Sequence, residues 1–255
     1  MELSARQRRR RVLVTMGVIA AIAMIAVAGT FMLSPGTHLS DIAESESGPF
    51  TDRGGIVWGS EGILSPPEGE EYWAEESLNR LSDEGTLVVS VYSDYLCPYC
   101  AMFEIDNAEL LDSMVEAGDA VMVYHRVAIL DDYSDGTRYS TRAAAAALYV
   151  AEQDPDAFKD FNDALFEMLY LHGPTALTDE GLAQLAVHAG VSTAVASAIE
   201  AGEAPADRAA AFTEMASQDL RQLATPTILL NGQQLTDDWT QPGVFEEAIR
   251  QALTS

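Results

Sequence analysis

Cys97 and Cys100 are the only cysteines in this 255-residue chain, and only Pro98 and Tyr99 separate them. A disulfide across so short a loop removes little entropy from the unfolded chain, so stapling the fold is a poor use of the pair. Thiol–disulfide exchange suits it better. That chemistry needs one partly ionised, accessible thiol and a second thiol near enough to resolve a mixed disulfide. Residues 86–92, TLVVSVY, are β-branched and apolar and predict a buried strand, while residues 98–117 read as one helix stopped by Gly118. Cys97 then sits at the helix N-terminus, where unpaired N–H groups and the helix dipole favour a thiolate. Pro98 fits the first turn, which does not need its missing N–H. Cys100, one turn in and facing the core, becomes the resolving thiol. Pro98 and Tyr99 lie between the sulfurs and tune their redox potential.

The competing use of two cysteines at this spacing is half of a zinc site, which needs two more ligands. His125 falls on a separate predicted strand, His38 in a polar stretch, and His172 and His188 in a helical region. Neither a metal nor any other cofactor is expected.

The elements that must position the cysteines follow from periodicity. Residues 72–81 have the spacing of a short helix, and Ala120–Arg126, AVMVYHR, read as a second strand. A strand, a helix and a parallel strand make a right-handed crossover unit. Helical patterns follow over 140–153, 155–171, 177–190, 191–202 and 204–223. Residues 225–231, TPTILLN, predict a third strand, Asn231-Gly232 a hairpin returning through 233–235, and 242–253 a closing helix. This order is the thioredoxin plan, an α/β fold, with a helical subdomain inserted at about 138–218.

Ahead of the folded part, residues 12–33 contain no charged side chain. At about 1.5 Å per residue they match the thickness of a bilayer's hydrocarbon core. Residues 1–11 hold five arginines against Glu2, a balance of +4. Such a basic flank stays in the cytoplasm and directs the rest outward. The expected organisation is a cytoplasmic tail (1–11), a transmembrane helix (12–33), a flexible linker rich in Pro, Gly and acidic residues (34–70) with room for a short strand around residues 55–58, and a folded domain (71–255). A cleavable signal peptide is the alternative, with Ala26-Val27-Ala28 as its small-residue site. Either reading exports the domain; the first makes it a single-pass protein of the cell membrane.

The net charge is −26, so −30 falls outside the basic tail. An acidic body of this kind repels phosphate, and nucleic acid is excluded as a partner.

The sequence resembles the DsbA-like family of exported thiol–disulfide oxidoreductases. The likeness rests on Ser93-Asp94-Tyr95 ahead of Cys97-Pro98-Tyr99-Cys100, on the strand at 121–126, and on Thr225-Pro226-Thr227-Ile228 running to Asn231-Gly232. Softer matches are Ala157-Phe158, Asp163-Ala164-Leu165-Phe166 and Leu177-Thr178-Asp179. The resemblance implies a cis Thr225–Pro226 bond beside the redox pair, with the Thr225 backbone pairing with an extended substrate. It also implies exported substrate proteins with thiols or disulfides and a membrane redox partner. One departure stands out. Several relatives carry a buried acid six residues before the first cysteine, where this chain has Val91. Asp94 is the available substitute, although a residue at that place also reads as a solvated strand end.

Three functions remain in competition: donation of disulfides to exported proteins, reduction or isomerisation through the same pair, and a non-enzymatic anchored binding domain with an inert disulfide.

Overall fold

The structure is a computed structural model that describes residues 49–254. Its centre is a six-stranded sheet: β1 (Ile56–Gly59), β2 (Gly62–Ile63), β3 (Leu87–Ser93), β4 (Ala120–Arg126), β5 (Thr227–Leu230) and β6 (Gln233–Gln234), in the spatial order β2-β1-β4-β3-β5-β6. Only β3 and β4 run parallel, in a seven-residue register from Leu87 opposite Ala120 to Ser93 opposite Arg126. Both are covered on two faces, which explains their near-continuous apolar, β-branched sequences. A parallel pair needs a helical crossover. Here it is α2 (Pro98–Asp106) followed by α3 (Ala108–Glu116), with α1 (Glu75–Asp83) preceding β3.

The single helix expected over 98–117 is broken at Asn107, whose backbone leaves the helical region at φ −107° and ψ 1°. Its side-chain amide donates to the Phe103 carbonyl at 2.9 Å, a local bond that competes with the helical ladder. Gly118, at φ +77°, then ends α3 in a left-handed conformation that costs glycine least.

Between β4 and β5 lies the helical block: α4 (Tyr139–Gln153), α5 (Phe158–His172), α6 (Asp179–His188), α7 (Thr193–Glu200) and α8 (Ala206–Asp219). Helix α9 (Val244–Ala252) closes the chain. The largest core cluster joins Val89, Val91, Met122 and Tyr124 of the sheet to Phe103, Phe158, Phe161, Phe166 and Phe245 of the helices. A smaller one on the opposite face joins Val57, Val88, Val121 and Val123 to Trp73, with Leu78 and Leu81 of α1 against it.

The range expected as linker through residue 70 differs from what is observed. Strand β1 pairs antiparallel with β4, Ile56 opposite Tyr124, and Phe50 is buried edge-on against Phe212 with ring centroids 5.4 Å apart. Gly54 has φ +76°, and a Cβ there would meet the Phe212 ring at 2.2 Å. Glycines that in composition resemble tether are thus sites of close packing, and the ordered sheet begins well before residue 71. The tail 1–11, the apolar segment 12–33 and residues 34–48 lie outside the described residues. Among the described residues no helix is long and apolar enough to cross a membrane.

Candidate active site

Three elements converge on the cysteines. Strand β3 ends at Ser93, and the turn Asp94-Tyr95-Leu96 delivers Cys97 as the N-cap of α2, at φ −88° and ψ 112° with Pro98 in the first turn. The Cys97 N–H donates to the Asp94 carbonyl at 3.0 Å, closing that turn. Strand β5 supplies the third element. It pairs with β3, Thr227 opposite Tyr92, so the residues just before it run past the end of β3 toward the turn. The Thr225–Pro226 bond is cis, and the Cys97 thiol donates to the Thr225 carbonyl at 3.3 Å.

The two thiols are free and chemically unlike. The Cys100 N–H donates to Cys97 Sγ at 3.4 Å. A hydrogen bond from the Cys100 thiol is the largest influence on Cys97 and lowers its pKa to about 6. Burial opposes that shift, while the Thr225 side chain and the N–H groups of Cys100 and Tyr99 add to it. Cys100 is wholly buried, and desolvation followed by its neighbour's sulfur pushes its thiol well up. Near neutral pH the arrangement holds a thiolate at Cys97 and a protonated thiol at Cys100. Between them Pro98 and Tyr99 are exposed, Tyr99 by 61%.

Asp94 is not the solvated strand end that its position suggests: it is 0% exposed. Its Oδ1 accepts from the Leu96 N–H at 2.8 Å and the Ser140 hydroxyl at 2.7 Å. Its Oδ2 accepts from the N–H groups of Ile129 at 2.8 Å and Leu130 at 3.0 Å. Desolvation raises its pKa, and these four donors oppose the shift. Val91 is core, opposite Tyr124 and Ile228, and brings no acid to the cysteines.

The far end of α2 is anchored by an arrangement not visible in the motif. Arg126, at the end of β4 and fully buried, pairs with Glu104 at 2.8 Å. Its guanidinium carbon lies 4.6 Å from the ring centroid of Tyr124, 5.1 Å from Phe166 and 5.6 Å from Tyr95. Among the described residues its Nε and Nη2 meet no hydrogen-bond acceptor, and the aromatic faces take that place. The alternation of β4 carries Arg126 to the same face as Tyr124, a signal present in the sequence but indistinguishable there from an exposed strand end. Phe103 packs edge-on against Trp239 and Phe245 and is core.

His125 stacks on Tyr92, ring centroids 4.0 Å apart, and burial followed by the Arg126 charge lowers its pKa to about 3. Among the described residues no group of three or more His, Cys, Asp or Glu side chains is placed to hold a metal.

Comparison with known proteins agrees with this geometry. A family model described as thioredoxin matches residues 82–250. The serine/threonine-protein kinase PknE of Mycobacterium tuberculosis is 33% identical over 157 residues, which cover 57% of this chain and 28% of the kinase. This chain therefore spans little more than a quarter of that relative. Among solved structures, the reduced disulfide bond oxidoreductase DsbG of M. tuberculosis superposes with a TM-score of 0.58 at 27% identity, covering 84% of this chain and 92% of that one. Reduced DsbA of M. tuberculosis gives 0.56 at 27% identity, covering 79% and 93%. The family match, the sheet order and the placement of Cys97-Pro98-Tyr99-Cys100 against a cis-proline loop agree: this chain belongs to the thioredoxin family, in its DsbA-like group.

Proposed function

We propose that this protein is an extracytoplasmic thiol–disulfide oxidoreductase that donates the Cys97–Cys100 disulfide to exported proteins. The observation that carries the reading is the asymmetry of the two sulfurs: Cys97 lowered to about 6 at a helix N-cap beside Thr225, and Cys100 raised and buried. A stabilised thiolate favours the dithiol form, so the disulfide form is the stronger oxidant.

In the reaction a substrate thiolate attacks Cys97 Sγ of the disulfide. The Cys97–Cys100 bond breaks as a mixed disulfide forms, and Cys100 leaves, taking up a proton equivalent to the one lost by the substrate thiol. The second substrate thiolate then attacks the substrate sulfur of the mixed disulfide. The substrate's own disulfide forms, and Cys97 departs as a thiolate. Two substrate thiols are oxidised, and the enzyme pair gains two electrons. Pro226 and the Thr225 backbone align the extended substrate, and Pro98 and Tyr99 tune the potential. A membrane redox partner removes the electrons, and residues 12–33 keep the domain at the outer face of the membrane.

The test is stoichiometric: the oxidised full chain is mixed with reduced, unfolded ribonuclease. One protein disulfide is expected to appear in the substrate for each one lost from the enzyme. Reduction of native insulin disulfides by the dithiol form, without oxidation of ribonuclease, would establish the reductase instead. A pair that exchanges with neither substrate would make the disulfide inert. Carbonate extraction of membranes tests the anchor, since a spanning helix resists it and a cleaved leader does not.

A further inference from the structure

Asp94 touches the redox turn by both its main chain and its side chain. Its carbonyl accepts the Cys97 N–H, and its own N–H faces the Cys100 sulfur. Its carboxylate binds Leu96 of the turn, Ile129 and Leu130 of the loop after β4, and Ser140 in the first turn of α4. Four donors from three segments occupy the carboxylate, so it has no free acceptor site from which to shuttle the protons of exchange. A carboxylate this deeply buried is costly to keep, and four hydrogen bonds are what offset that cost.

We propose that Asp94 is the positioning residue of the redox turn: by holding the Leu96 N–H it fixes Cys97 Sγ against the Cys100 N–H, the donor that supports its thiolate. This rests on the reading of Cys97 as the attacked sulfur, and it gives the acid in this family member a place and a task other than proton transfer.

The donor set makes the claim sharp. An asparagine at 94 has one acceptor oxygen and an amide NH2 that can only donate. The N–H groups of Leu96, Ile129 and Leu130 can all only donate, and facing the oxygen toward Ile129 and Leu130 satisfies two of them where facing Leu96 satisfies one. The hydroxyl of Ser140 can turn and accept from the amide. Leu96, next to Cys97, is then the group left without an acceptor, and the damage concentrates in the redox turn. Electrostatics alone predicts the opposite, because removing a nearby negative charge eases ionisation of a thiol.

The experiment follows the rate of iodoacetamide alkylation of Cys97 against pH in the reduced full chain, with urea unfolding recorded alongside. Asp94→Asn is expected to raise the alkylation midpoint by about one pH unit, a tenfold loss of thiolate at a given pH below it. Asp94→Ser places a short acceptor within reach of the N–H two residues on. It is expected to leave the midpoint unmoved or lower it, although its stability falls because Ile129 and Leu130 lose their partner. Ser140→Ala keeps Leu96 bonded and is expected to leave the midpoint in place. An unchanged or lowered midpoint in Asp94→Asn overturns the proposal. So does an upward shift in Ser140→Ala or Asp94→Ser, which would mean general loosening; the Ser140 variant decides the matter if Asp94→Asn does not fold. These readings come from the thiol itself. A chain that shows them yet fails to oxidise ribonuclease would refute the proposed function and leave the role of Asp94 standing.

Discussion

The two ends of helix α2 handle charge in opposite ways. At its start, the sulfur of Cys97, a residue only 5% exposed, rests as an anion on hydrogen bonds from N–H groups and from its partner thiol. Seven residues on, a carboxylate is held by a guanidinium buried among three aromatic rings. The first arrangement depends on a donor, the Cys100 thiol, that the reaction itself consumes, so its strength changes through the catalytic cycle. The second involves no reacting group and stays constant. A helix that must present a switchable charge at one end is fixed by a permanent one at the other.

The comparison breaks most visibly at the reactive end. Cys97→Ser is expected to abolish ribonuclease oxidation altogether. Cys100→Ser should instead attack a substrate disulfide through Cys97, expelling one substrate thiolate, and remain trapped as the mixed disulfide, visible as a slower band on non-reducing gels and released by dithiothreitol. At the fixed end, Arg126→Met strands the Glu104 carboxylate beside a buried apolar side chain. Urea unfolding should show a loss of about 3–5 kcal/mol, the usual cost of removing one partner of a buried pair. The alkylation midpoint of Cys97 should hardly move, which separates anchoring from tuning. Were the midpoint to follow the stability, the two ends would be one electrostatic unit.

A subtler difference concerns pH. Cys97 is depressed from an ordinary 9.0 to about 6 in the folded dithiol, and the disulfide form has no thiol to titrate there. The extra stability of the reduced form is therefore fully present above the unfolded value and is lost as pH falls through about 6. Urea unfolding of both redox forms between pH 5 and 8.5 should show the reduced form gaining on the oxidised one across that window. Parallel curves would mean that Cys97 is not depressed. The smallest effect belongs to Tyr99, whose ring is 61% exposed. Tyr99→Ala should change stability by less than about 0.5 kcal/mol while shifting the redox equilibrium with glutathione measurably.

Much of this was legible from residue patterns because buried parallel strands and a helix N-cap leave strong local signals. TLVVSVY and AVMVYHR read as strands, and Pro98 marks the first turn of α2. What escaped is what tertiary contact decides. A short strand is readable around residues 55–58, where β1 lies, but the packing of Gly54 against Phe212 and of Gly55 against His125 is not, since in sequence these glycines resemble linker. The break at Asn107 arises from a single side-chain bond. Asp94 reads in sequence chiefly as a solvated strand end, and it is Ser140, 46 positions away, that closes over it. The Arg126–Glu104 pair spans 22 positions, and neither residue stands out from other surface charges in composition.

The most direct measurement is the reduction potential of Cys97–Cys100 in the full chain, equilibrated with glutathione buffers. A value near about −120 mV, that of a strong disulfide donor, is expected from a thiolate held as Cys97 is. A value near about −270 mV, that of thioredoxin, would contradict disulfide donation and make the protein a reductant.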